Sequence, residues 1–151
     1  MPRRRKRSIK RSGFEDKIAK DLDDRGIAYE FERDSLEYYS AVAGGVVWDT
    51  ADHMESSVTW LKARKRRWYT PDFVITRGSC PTLYVEAKGR LTGPTRTKML
   101  DVKRAHPDLD IRFLFYRKEK VMLKRTPYNT NWAEANGFPY AVGHEVPEEW
   151  L

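Results

Sequence analysis

The chain has one cysteine among its 151 residues, Cys80. Alone it closes no internal disulfide, which fits a reducing cytosol, and its place before Pro81 reads as a turn. Histidine is almost as scarce. His53, His106 and His144 are scattered, with no cysteine cluster at ligand spacing, so a zinc site is not expected. No stretch is long and apolar enough to span a bilayer, and no signal-peptide apolar region follows the N-terminus, so no membrane partner is expected. Internal repeats are absent. What remains is one domain of ordinary size, and its 40% hydrophobic content is enough for a core.

Acid is missing from the first eleven residues. They hold Arg3, Arg4, Arg5, Lys6, Arg7, Lys10 and Arg11, seven of the chain's 29 cations. The rest of the chain therefore carries 22 bases against its 22 acids, and the net charge of +7 belongs to a tail. Such a flexible arm orders on phosphates, although a solvated tail or a targeting run has the same composition. The expected organisation is an arm over 1–11 and a single domain over 12–151. A second basic cluster, Trp60 to Tyr69, interleaves Lys62, Arg64, Lys65, Arg66 and Arg67 with three aromatics. It suits phosphate and base contact, or equally a solvated helix end with core tryptophans.

The strongest chemical signal follows directly. Pro71-Asp72 opens an apolar run, Asp72 to Thr76, and Arg77 to Pro81 supplies turn residues. Thr82 to Lys88 reads as the return strand, with Glu86-Ala87-Lys88 at its end. Residues two apart on a strand share a face, so Glu86 and Lys88 point together while Leu83, Val85 and Ala87 take the other side. If the register brings Asp72 beside Glu86, two carboxylates and an ammonium meet. Magnesium prefers such oxygen ligands, and a lysine nearby orients the nucleophile or stabilises charge on phosphorus. The same letters also fit an edge hairpin with a surface Glu-Lys pair.

Around this hairpin, Ser12-Gly13-Phe14-Glu15 predicts a capping box and a helix running to about Gly26. Ile27 to Phe31 suits a first strand. The stretch 34–68 is unclear: Gly44-Gly45 suggests a turn, and Asp52 to Arg67 is helical or irregular. Gly89 to Thr95 reads as a loop, Thr97 to Ala105 as a helix and Ile111 to Tyr116 as a strand. Lys120 to Lys124 fits a short edge strand, and Thr130 to Asn136 a helix closed by Gly137. The Trp150 side chain should dock on the body. A right-handed crossover after Lys88 makes the strand at Ile111 parallel to the hairpin, giving an α/β fold with a mixed β-sheet flanked by helices.

Five blocks in order carry a resemblance: Arg11 to Lys17, Tyr69 to Phe73, Val85 to Gly89, His106 to Arg112 and Val146 to Trp150. Together they resemble phage endonuclease I, the phage-type Holliday-junction resolvase of the restriction-endonuclease-like superfamily. The resemblance implies a Mg²⁺-dependent endodeoxyribonuclease that cuts branched DNA in the host bacterial cytoplasm. It implies two metals per site, with Mn²⁺ as a substitute, and no small-molecule cofactor. It also implies an intertwined, domain-swapped homodimer with composite active sites. Matched residue by residue, Glu15, Asp72, Glu86 and Lys88 are catalytic, and Asp72, Glu86, Glu15 and the Ala87 carbonyl hold metal. Glu15 has a competing role in the capping box. The 34–68 stretch is longer than the family's subunit bridge and stands as an insertion. Arg3 to Arg11, Arg64 to Arg67, Lys98, Lys103 and Arg104 are the candidate DNA contacts. The rival readings are a sequence-specific restriction or transposition nuclease, and a non-catalytic nucleic-acid-binding protein, including one whose arm binds RNA.

Overall fold

A computed structural model describes residues 12–47 and 61–151, with side chains outside 41–47 and 61–64. The basic arm at 1–11 and the segment 48–60, including most of the Asp52-to-Arg67 stretch read as helical or irregular, lie outside the described residues.

Helix α1, Gly13–Asp24, starts as its sequence dictates. The Ser12 hydroxyl accepts from the Glu15 N–H, and the Glu15 carboxylate accepts from the Ser12 N–H at 2.8 Å. Ile18 and Ala19, with Leu22 one turn further on, are all buried. Gly26, at φ 64°, turns the chain out of the helix. Strand β1 is only Glu30–Phe31, so the expected strand from Ile27 begins three residues late.

Strands β4, Phe73–Arg77, and β5, Cys80–Lys88, form the expected hairpin. Its turn is tighter than the sequence suggests. Arg77 pairs with Cys80, leaving Gly78 (φ 50°) and Ser79 as the loop. Helix α2, Gly93–Ala105, then crosses over to β6, Asp110–Phe115, which is parallel to β5 as expected. The helix starts four residues before Thr97, because Thr92 caps it and Pro94 sits in its first turn. Helix α3, Asn129–Ala135, leads to β7, Tyr140–Val142, a further parallel strand that the sequence did not announce. Lys120 to Lys124 is not an edge strand; one bridge joins Lys120 to Tyr128. The main sheet has five strands in the order β1-β4-β5-β6-β7.

Strand alternation gives this sheet two buried faces. Phe73, Ile75, Leu83, Val85 and Leu114 pack with Ile18 and Leu22 of α1 and with Trp150, which docks as expected. Val74, Tyr84, Phe113 and Phe115 pack with Met99 and Val102 of α2 and with Trp132 and Ala133 of α3. Each such large side chain contributes about 1.5–3 kcal/mol by leaving water.

Within and just beyond the 34–68 stretch, the described residues form a separate two-stranded ribbon. Strand β2, Leu36–Val47, runs antiparallel to β3, Leu61–Tyr69. Gly44-Gly45 is therefore not a turn. It lies in β2, where the register shifts between Ala41 and Val46. Lys65, Arg66 and Arg67 belong to a strand, not a helix end. The ribbon is anchored to α2, with His106 Nε2 2.6 Å from the Glu37 carbonyl oxygen.

Candidate active site

One step beyond the last β4–β5 pair, Phe73 with Val85, lie Asp72 and Glu86. Opposed residues of an antiparallel pair share a face, so both carboxylates stand on the Tyr84 and Lys88 face of the sheet. The Asp72 carboxylate accepts from the Ala87 N–H at 2.8 Å. Glu86 is 1% exposed, and both of its oxygens have donors. The Tyr69 hydroxyl donates to one at 2.6 Å, and the Lys88 ammonium lies 2.7 Å from the other. Asp72, Glu86 and Lys88 therefore meet, as the spacing predicts.

The electrostatics are those of crowded acids. Burial, then the neighbouring charge of Glu86, pushes the Asp72 carboxyl up to about 7, against the opposing pull of Lys88 and the Ala87 N–H. Burial alone would lower the Lys88 ammonium, but Glu86 and Asp72 outweigh it and hold it above its ordinary value. Burial and Glu86 push the Tyr69 hydroxyl far up, so it remains a donor.

Glu15 lies near enough to raise Asp72 and to favour the charged form of Lys88. Its carboxylate nevertheless caps α1. Among the described residues no three acidic, histidine or cysteine side chains converge as a cation cage. The pair Asp72 and Glu86 still fits a hard divalent cation. Its donors are oxygens, and burial penalises the ionised form of Asp72, a penalty that a bound cation would offset.

Tyr69 is the residue that sequence reading left unassigned, counting its ring only as part of an aromatic cluster. It is 1% exposed, whereas the four residues before it on β3 are exposed, so its burial comes from the packed fold at the end of the strand and no local pattern announces it.

The candidate DNA contacts divide. Lys98 lies over the Tyr69 ring at 5.3 Å, and the hydroxyl of that ring reaches Glu86. Arg66 lies over Trp68 and pairs with Glu37, and Arg67 bonds Ser40. Lys65 and Arg104 are exposed, the latter paired with Asp101. Lys103 is occupied elsewhere: its ammonium donates to the carbonyls of Asn136 and Gly137 at 2.7 and 2.6 Å, closing the end of α3. The Arg64 side chain and the arm lie outside the described residues. A cleft of about 580 Å³ formed by Asp21, Arg25 and residues 141–148 contains none of the site residues.

Comparison with known proteins makes the class explicit: the chain is an endonuclease. The family model of phage endonuclease I matches residues 43–151, and the chain belongs to that family. It is similar to endonuclease I of Escherichia phage T7, 30% identical over 142 residues, 93% of this chain and 77% of that protein. It is also similar to endodeoxyribonuclease 1 of Enterobacteria phage T3, 30% identical over 132 residues, 87% and 70% of the respective chains. The family match includes Asp72, Glu86 and Lys88 and begins after Glu15.

Proposed function

We propose that this endonuclease is a Mg²⁺-dependent, structure-selective endodeoxyribonuclease of restriction-endonuclease-like fold that cuts branched DNA, four-way junctions above all. The observation that carries the reading is the meeting of Asp72, Glu86 and Lys88 at the end of β5, in a chain of this family.

Asp72, Glu86 and the Ala87 carbonyl would hold the metal. When bound, Mg²⁺ supplies a Lewis acid and an acidified water for phosphodiester hydrolysis. The chain's own groups do the positioning. The Ala87 N–H fixes one oxygen of Asp72 and leaves the other without a hydrogen bond to the described residues. Tyr69 and Lys88 fix Glu86 from two sides. The Lys88 ammonium gives the reacting phosphate a positive charge and a proton donor.

The protein acts as an intertwined homodimer, with the 34–68 ribbon in the region that bridges the subunits. Two sites at fixed separation suit paired nicks on opposed strands. Glu15, which within one chain already lies near enough to act on Asp72 and Lys88, is the further acid of the site, and domain swapping would supply that same contact from the other subunit. Lys65 to Arg67, Lys98, Arg104 and the basic arm grip phosphates, so recognition is by shape and falls steeply with salt.

The test compares nicking of a synthetic four-way junction and a matched linear duplex, with and without Mg²⁺. Cutting should be selective for the junction and require the metal. Glu86→Ala and Lys88→Ala should abolish it while junction binding in chelator persists. Equal cutting of the duplex at defined sequences would favour a sequence-specific nuclease. Wild-type rates in both variants would remove the proposed site.

A further inference from the structure

The segment between β6 and α3 has no part in the function so far. Residues 117–125 carry Arg117, Lys118, Lys120, Lys124 and Arg125 against one acid, Glu119. Only Arg117 approaches an acid among the described residues, at 3.6 Å from Glu119. At the tip, Met122 is 92% exposed and Leu123 is 36% exposed. Met122 also has φ 59°, a left-handed conformation that non-glycine residues adopt only where the surroundings impose it.

The surroundings do impose it. Asn129 is fully buried: its side-chain oxygen accepts from the Glu119 N–H, and its amide donates to the Arg117 carbonyl. The Asn129 N–H donates to the Glu119 carbonyl, and the Val121 N–H to that of Pro127, both at 2.8 Å. Val121 is buried, and Lys118 lies over the Tyr128 ring at 4.4 Å. The loop is closed at its base, and its apolar tip is held in water. It also starts at the candidate active site, where the Tyr116 N–H donates to the Lys88 carbonyl at 3.1 Å.

A preset loop with this charge, beside a phosphodiester-cleaving centre, is complementary to a polyanion. Proteins that bind duplexes by shape place cations on the phosphates and insert Met or Leu side chains into the groove between them. We propose that the 117–125 loop clamps the duplex arm beside the scissile phosphate, with its cations on the backbone and Met122-Leu123 in the groove. This assignment rests on the nuclease reading above.

The test measures affinity of the full chain for a four-way junction in chelator across a salt series, with nicking in Mg²⁺ alongside. Lys120→Gln/Lys124→Gln/Arg125→Gln should flatten the salt slope by about 2–3 and weaken binding roughly tenfold or more. Met122→Ser/Leu123→Ser should keep the slope, weaken binding several-fold, and lose the fluorescence change of a 2-aminopurine placed in the arm. Circular dichroism and melting verify folding. If the triple variant melts early, Lys124→Gln and Arg125→Gln singly should each remove about one unit of slope. Wild-type affinity, slope and fluorescence in all folded variants would overturn the clamp. Binding decides the clamp, whereas failure of the wild type to nick the junction would overturn the nuclease reading instead.

Discussion

Tyr69 donates a 2.6 Å hydrogen bond to the Glu86 carboxylate, and each residue is 1% exposed. The bond joins the ribbon to the sheet, and it fixes one oxygen of Glu86 while Lys88 holds the other. Tyr69→Phe keeps the ring and removes only the donor. A buried carboxylate oxygen left without its partner costs about 1–3 kcal/mol, so the melt in chelator should fall accordingly. With Glu86 less fixed, half-maximal nicking should need more Mg²⁺, by roughly one order of magnitude. Unchanged stability and an unchanged Mg²⁺ requirement would show that this bond organises nothing.

Asp72 makes the metal-free protein sensitive to pH. Its folded value of about 7 lies above the ordinary 3.8, so the folded state binds the proton more tightly than the unfolded state. Its contribution is fully present below about pH 4 and is lost as pH rises through 7. The charges facing it are Glu86, Lys88 and Glu15. A shift of this size is on the order of 4 kcal/mol if the group titrates alone. Asp72→Asn should therefore be clearly more stable than wild type at pH 8 in chelator, and little different at pH 4. Mg²⁺ should raise the wild-type melt at pH 8 and leave that of Asp72→Asn nearly unchanged. Parallel pH–stability curves for the two proteins would contradict this account.

Glu15 has a visible structural role and a proposed chemical one, and two variants separate them. Ser12→Ala breaks the cap, so it should cost about 1 kcal/mol of stability and keep nicking. Glu15→Gln keeps an acceptor for the Ser12 N–H but loses the charge, so it should fold and not cut. If Glu15 serves the partner's site, mixing inactive Glu15→Gln chains with inactive Glu86→Ala chains restores activity. Each mixed dimer then contains one site with both lesions and one with none. A site completed within one chain would give no restoration after subunit exchange.

The capping box announced α1, and two apolar runs around turn residues announced the β4–β5 hairpin. The alternation of side chains along β5 then put Glu86 and Lys88 on one face. Strand β3 was not legible. Lys65, Arg66 and Arg67 carry no apolar alternation, because among the described ribbon residues they face solvent. The start of α2 was masked by Gly93-Pro94, which punctuates chains in general but is compatible with a first helical turn once Thr92 caps it. Strand β7 is three residues long and owes its pairing to β6, so nothing local declares it. The bond from Tyr69 to Glu86 spans 17 residues and two sheets. Only the packed fold brings its ends together.

Cations that resemble one another in sequence should behave differently in salt. The arm contributes six positive charges between Met1 and Lys10. Deleting those residues should lower junction affinity and flatten the slope of log affinity against log salt by up to about 5, since each phosphate contact contributes about 0.9. Cleavage should survive at high protein concentration, because the acids and Lys88 lie elsewhere. Lys103 supplies the contrast. Its ammonium is committed to the carbonyls that end α3. Lys103→Met should therefore lower stability by about 1–3 kcal/mol and leave the salt slope as it was. A slope reduced by Lys103→Met, with stability unchanged, would return this lysine to the DNA contacts.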